Sequence, residues 1–97
     1  MTTLSYEKLD EGKVKEGLAG LPGWAVADGM LVREFKFESY AAGLVFAVAC
    51  GQVAEGLNHH PDLFVGYRKV RVSFVTHDSG GLTAYDFEAA RRVSALA

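Results

Sequence analysis

The chain has 97 residues, 49% hydrophobic, 23% charged and 11% aromatic, and a formal net charge of −2. Such fractions exclude a disordered chain and fit one globular domain over residues 1–97, in which folding buries roughly 64% of the extended surface. Ten basic side chains against twelve acidic ones argue against nucleic acid or an anionic membrane as partner. A single cysteine, Cys50, excludes an internal disulfide framework and fits a reducing compartment. Met1 to Ser5 carries no basic region followed by an apolar run, so no signal peptide is read there. The longest apolar stretch, Ala41 to Cys50, is about half the ~20 residues that a bilayer needs. The expectation is a cytoplasmic protein without a membrane segment.

Residues 5–19 open with the cap-like Ser5 and place Tyr6, Leu9, Val14 and Leu18 at roughly helical spacing, with Glu7 suiting the first turn. Gly12 and Gly17 each cost such a helix about 1 kcal/mol relative to Ala, so it must depend on packing. Gly20, Pro22 and Gly23 stop it. Asp28-Gly29 between two apolar runs predicts a two-residue hairpin loop. Beyond it Leu31, Arg33, Phe35 and Phe37 alternate with Val32, Glu34 and Lys36, as in a half-buried strand. Ser39 is the expected N-cap of a long helix. Its stripe is Phe46, Ala49, Cys50, Val53 and Leu57, widened by Leu44 and Val48. Pro61 ends that run.

Leu63–Tyr67 and Lys69–His77 read as two further strands, and Asp78 to Gly81 as a turn. Thr83 with Asp86 three residues on marks the start of a last helix, with Tyr85, Ala89, Val93 and Leu96 as its apolar stripe. The sum predicts an α+β fold in the order α-β-β-α-β-β-α. It is a two-layer arrangement, with a four-stranded antiparallel sheet and three helices on one face. The edge strands and the uncovered sheet face make self-association an expected solution.

The three histidines, His59, His60 and His77, all fall at ends of predicted elements, where chain ends can converge on a cleft. Imidazole donates and accepts protons near neutrality, so a proton-transfer site is chemically reasonable. Glu55, four residues before His59, could orient or stabilise that ring. The bland alternative is a helix end capped by histidines and a strand end at His77. A metal site built from the histidines with Glu55 or Asp78 is a further alternative, weakened because adjacent side chains diverge. Phe64 and Tyr67 could supply a flat wall for a ring-shaped substrate, with core packing as the other reading of Phe64. Cys50 reads as inert core.

The run Glu55-x-x-x-His59-His60-Pro61-Asp62, then Tyr67-x-x-Val70, then Thr76-His77-Asp78-x-x-Gly81-Leu82-Thr83 with Asp86, resembles the pterin-4a-carbinolamine dehydratase family. Leu21-Pro22-Gly23-Trp24 is similar to that family's entry into its first strand, and the resemblance spans about residues 4 to 95. It implies the same α+β fold, and a homodimer or homotetramer. It also implies loss of water from 4a-hydroxytetrahydropterin to give quinonoid dihydropterin, in recycling of the pterin used by an aromatic amino acid hydroxylase.

The implied catalytic residues are His59, His60, His77 and Glu55. His59 and His77 would act as general acids, His60 would orient the pterin or accept a proton, and Glu55 would tune a histidine. Asn58, Pro61, Thr76 and Asp78, which belong to the same motifs, join Phe64 as expected substrate contacts. No metal and no organic cofactor is implied, the pterin being the substrate. Arg68 stands where the family often has Asn, and Leu63 where some members have Trp. A non-catalytic dimerisation or regulatory module with the same fold is the alternative.

Overall fold

A computed structural model gives the structure of residues 4–97; Met1 to Thr3, part of the expected domain and of the leader reading, lie outside the described residues. Asp28 and Gly29 both take positive φ, 52° and 76°, as a two-residue hairpin loop requires. Strand β1 (Ala25–Ala27) therefore folds back on β2 (Met30–Lys36) with Ala27 opposite Met30. A second hairpin joins β3 (Asp62–Gly66) to β4 (Lys69–Phe74) through Tyr67 and Arg68. Central pairing of β2 with β4 gives one antiparallel sheet in the order β1-β2-β4-β3.

Helices α2 (Tyr40–Leu57) and α3 (Ala84–Ser94) pack on one face of this sheet, and α1 (Glu11–Ala19) adds Val14 and Leu18 to the same core. That core holds Trp24, Leu31, Phe35, Phe46, Cys50, Val70, Val72, Phe74 and Val93. Trp24 ties the sheet to α3, its indole N–H donating to Ser94 Oγ at 2.7 Å. Ser39 caps α2 as expected, accepting from the Ala42 N–H. Thr83 and Asp86 form a full capping box at the start of α3. The two-layer α+β architecture and its element order are those predicted.

Four local expectations are corrected. Ser5 does not start a helix: its hydroxyl accepts from the Glu7 N–H, and the Leu9 N–H is taken by Leu82 O across the molecule. The helix begins only at Glu11, capped by Asp10, whose carboxylate accepts from the Lys13 N–H. Strand β3 spans Asp62–Gly66, one residue earlier than read, because Gly66 pairs with Lys69 across a two-residue loop. Strand β4 ends at Phe74 rather than His77 because β2 and β3 supply no partner beyond it, and Thr76 instead pairs with Gly81.

The last correction concerns which helix faces are buried. Leu44 and Val48 do not widen the buried stripe of α2. They face outward with Tyr40 and Val45, while Gly43, Phe46, Ala47, Cys50 and Ala54 face the sheet. By length and composition alone α2 is apolar enough to cross a membrane, but its buried stripe packs on the sheet. In α3 the buried set is Asp86, Ala89, Ala90 and Val93, with Tyr85 half-buried and Leu96 exposed.

Candidate active site

Helix α2 stops because Asn58 takes the left-handed conformation, φ 51° and ψ 42°. The Asn58 N–H donates to Glu55 O at 3.2 Å and the His59 N–H to Ala54 O at 3.1 Å. These two bonds are the Schellman closure, which satisfies carbonyls that a helix end otherwise leaves free. Asn tolerates this backbone better than most residues. Two consecutive imidazoles thus reach different surroundings. His59 is buried, and His60 is exposed.

The Nε2 atom of His59 lies 2.6 Å from Asp86 Oδ1. Asp86 is fully buried, and its other oxygen accepts from the Thr76 hydroxyl at 2.8 Å and the Thr83 N–H at 2.9 Å. A carboxylate only accepts, so the hydrogen of the first bond sits on His59 Nε2, an arrangement that in a neutral ring leaves the Nδ1 lone pair free. Since the Thr76 hydroxyl donates to Asp86, its 2.8 Å contact with Thr83 Oγ1 is one in which Thr83 donates. Each buried polar group is thereby matched, as a low-dielectric interior demands. The His59 ring lies nearly parallel to Phe74 at 6.1 Å between centroids, with Tyr85 at 5.8 Å on a tilt.

Glu55 does not orient His59. The left-handed turn carries residue 59 off the helix, and Glu55 Oε1 instead lies 2.7 Å from His60 Nε2. Both of those side chains are largely exposed. His77 opens a short 3-10 turn (His77–Ser79) held by the Thr76–Gly81 bridge, and its ring has no hydrogen-bond partner among the described residues. The three histidines line one cleft of about 630 Å³ with Asn58, Thr76 and Asp78. That volume suits a small ring-shaped ligand.

Two expected contacts are not among the residues that line the cleft. Pro61 does not line the cleft. Phe64 is exposed on the uncovered face of the sheet, opposite Arg71 in register and beside Glu34. Its putting a wall beside the histidines is therefore corrected, and Tyr67 sits exposed at the hairpin tip.

The cleft also holds groups that sequence reasoning missed. Tyr6, Val75 and Ser79 line it, and Asp86 behind it reads from sequence as a first-turn acid and a member of the family motif, with no expected role at a histidine. The Thr83-x-x-Asp86 box located that carboxylate but could not show that its second oxygen reaches His59. Among the described residues no three His, Cys, Asp or Glu side chains are grouped to hold a metal ion. Cys50 takes no part in the cleft, and burial pushes its thiol up to about 11.

A family model described as Pterin 4 alpha carbinolamine dehydratase matches residues 7–96. The chain belongs to the pterin-4a-carbinolamine dehydratase family. Curated relatives provisionally named pterin-4-alpha-carbinolamine dehydratase share this membership. One from Solibacter usitatus is 38% identical over 93% of this chain and 95% of its own length. One from Stenotrophomonas maltophilia is 43% identical over 95% of this chain and 81% of its own length.

Among solved structures, a Brucella melitensis protein described as a transcriptional coactivator/pterin dehydratase superposes with a TM-score of 0.89 at 34% identity. It covers 94% of this chain and 99% of its own. A more distant pterin dehydratase-like protein, described as a RuBisCO assembly factor in the alpha-carboxysome, gives a TM-score of 0.60 at 27% identity. That match covers 75% of this chain and 84% of the other. The match along nearly the whole chain to the Brucella pterin dehydratase agrees with the fold derived above.

Proposed function

We propose that this member of the pterin dehydratase family dehydrates 4a-hydroxytetrahydropterin to quinonoid dihydropterin by histidine acid–base catalysis. The observation that carries the reading is the convergence of His59, His60 and His77 on one cleft from the end of α2 and the short turn after β4. An acid protonates the 4a-hydroxyl, the C4a–O bond breaks with release of water, and a base takes the N5 proton as the C4a=N5 double bond forms. His77, exposed and free of protein partners among the described residues, serves as the acid. His60 serves as the base. Glu55 accepts the hydrogen of its Nε2, which keeps the Nδ1 lone pair available. His59 has its Nε2 hydrogen committed to Asp86 and offers Nδ1 as an acceptor that orients the substrate, a role different from the acid expected from sequence. Positioned proton transfer of this kind contributes about 10²–10⁴-fold.

The test is the ultraviolet absorbance change of 4a-hydroxytetrahydropterin with purified protein. Turnover that falls by about 10²-fold or more in His60→Ala and His77→Ala supports the reading. Unchanged rates in both variants would sink it. The coactivator and assembly-factor descriptions of the solved relatives favour a second reading, a binding module without turnover. Capture of a partner together with undetectable dehydration would select it. The expected homodimer or homotetramer is supported by the apolar patch on the outward face of α2, where Tyr40, Leu44, Val45 and Val48 lie exposed, and size-exclusion elution tests it.

A further inference from the structure

Apart from Tyr6 and the small aliphatic Val75, the cleft is lined by imidazoles, an amide, hydroxyls and one carboxylate, and a flat heterocycle bound there needs a broad apolar surface to lie against. Phe64 cannot supply it from the outer face of the sheet. The aromatic side chain that does line the cleft is Tyr6, on the segment before α1, and it stands half-exposed. Its ring is stacked on Tyr85 with centroids 4.0 Å apart and planes 12° apart, and Tyr85 in turn lies against the ring of His59.

The backbone around Tyr6 is fixed at two points. The Ser79 hydroxyl donates to Tyr6 O, and the Leu9 N–H donates to Leu82 O at 2.8 Å. Ser79 belongs to the same short turn as His77, so one tether registers the tyrosine against the proposed acid. A side chain that merely covered the protein surface would need no such registration with the turn that carries His77. We propose that Tyr6 is a substrate-positioning residue, its ring forming the aromatic wall against which the pterin lies. This rests on the pterin reading of the cleft and adds to it a contact from the N-terminal segment.

The experiment compares wild-type protein with Tyr6→Ala and Tyr6→Phe in two measurements. One is the KM and kcat of dehydration. The other is the Kd for biopterin, an oxidised pterin that has no 4a-hydroxyl to lose, read by quenching of its fluorescence. Loss of an aromatic contact predicts that Tyr6→Ala raises both KM and Kd roughly three- to tenfold, with kcat within twofold. Tyr6→Phe keeps wild-type values, because the ring and not the hydroxyl makes the wall.

A purely structural role would lower Tm and kcat without separating Tyr6→Phe from Tyr6→Ala in Kd. KM and Kd within twofold of wild type in Tyr6→Ala would overturn the proposal, as would absence of biopterin binding by the wild type. Wild-type protein that binds biopterin, loses it in Tyr6→Ala and yet dehydrates nothing would uphold the wall while removing the dehydratase reading.

Discussion

Replacing Asp86 by Asn keeps the shape of the side chain and changes only where hydrogens can sit. The Thr83 N–H can only donate and the Thr76 hydroxyl is held as a donor, so the amide oxygen must stay at the Oδ2 position. The amide NH2 then faces His59 Nε2 at the 2.6 Å contact, and that nitrogen must become an acceptor. The ring hydrogen moves to Nδ1, the atom proposed to offer the substrate a lone pair. Exchanging charge-assisted bonds for neutral ones costs about 1 kcal/mol. Loss of a negative charge in the first turn of α3 adds about 0.3–1 kcal/mol.

The sum, about 1–2 kcal/mol, is small against the roughly 5–15 kcal/mol of a typical domain, so Asp86→Asn should fold with Tm lower by about 5–15 °C. Activity should fall further, by about 10- to 100-fold, because the atom that orients the substrate turns from acceptor to donor and leaves its partner unmatched. Nitrogen-15 NMR of labelled histidine reads the tautomer directly, and the absorbance assay reads kcat. A folded Asp86→Asn protein with kcat within threefold of wild type, or with the hydrogen still on Nε2, would refute this reasoning. Asp86→Ala is the harsher variant, since it strands His59 and the Thr83 N–H together and costs about 3–5 kcal/mol.

Gly17→Ala should destabilise by up to about 2 kcal/mol in urea unfolding although Ala is the better helix former, because its Cβ would come within 2.5 Å of the Phe87 ring. Gly51→Ala meets nothing within 4 Å and should stabilise by about 0.5–1 kcal/mol; equal effects at the two positions would refute the packing argument. Arg68 sits at φ 61° in the β3–β4 loop, so Arg68→Asn, which restores the residue expected from the family resemblance, should raise stability by about 1 kcal/mol in the same assay, and a loss would contradict it. The buried Cys50 thiol, pushed up to about 11, should resist a disulfide reagent at pH 8 until the protein is denatured; fast native labelling would count against a sealed core.

The parts of the fold legible in the sequence were those set by local chemistry. Asp28-Gly29, Ser39 and the Thr83–Asp86 box each fix a turn or helix start with atoms a few residues apart. Ser5 had the right type for a cap, but the Leu9 N–H found its partner in Leu82, far along the chain. Helix α2 is apolar on more than one face, so periodicity could group Leu44 with Val48 but not say which group the sheet would take. The site divides the same way. That His59, His60 and His77 share a cleft was foreseen, whereas the pairing of carboxylates was not. Spacing favoured Glu55 with His59, and one left-handed residue gave Glu55 to His60 and left His59 to Asp86. The face occupied by Phe64 follows from its register with Arg71, a long-range fact that no local pattern contains.

The turn at Asn58 also divides the two neighbouring imidazoles by their access to bulk water. The His60 side chain is 53% exposed, so a proton taken up in the proposed reaction can pass straight to solvent or buffer without a relay through the protein. The His59 side chain is 9% exposed and its Nε2 hydrogen is enclosed against a buried carboxylate, so that hydrogen is shielded from bulk water. One left-handed residue thereby separates a solvent-accessible proton from a shielded one across adjacent positions of the chain.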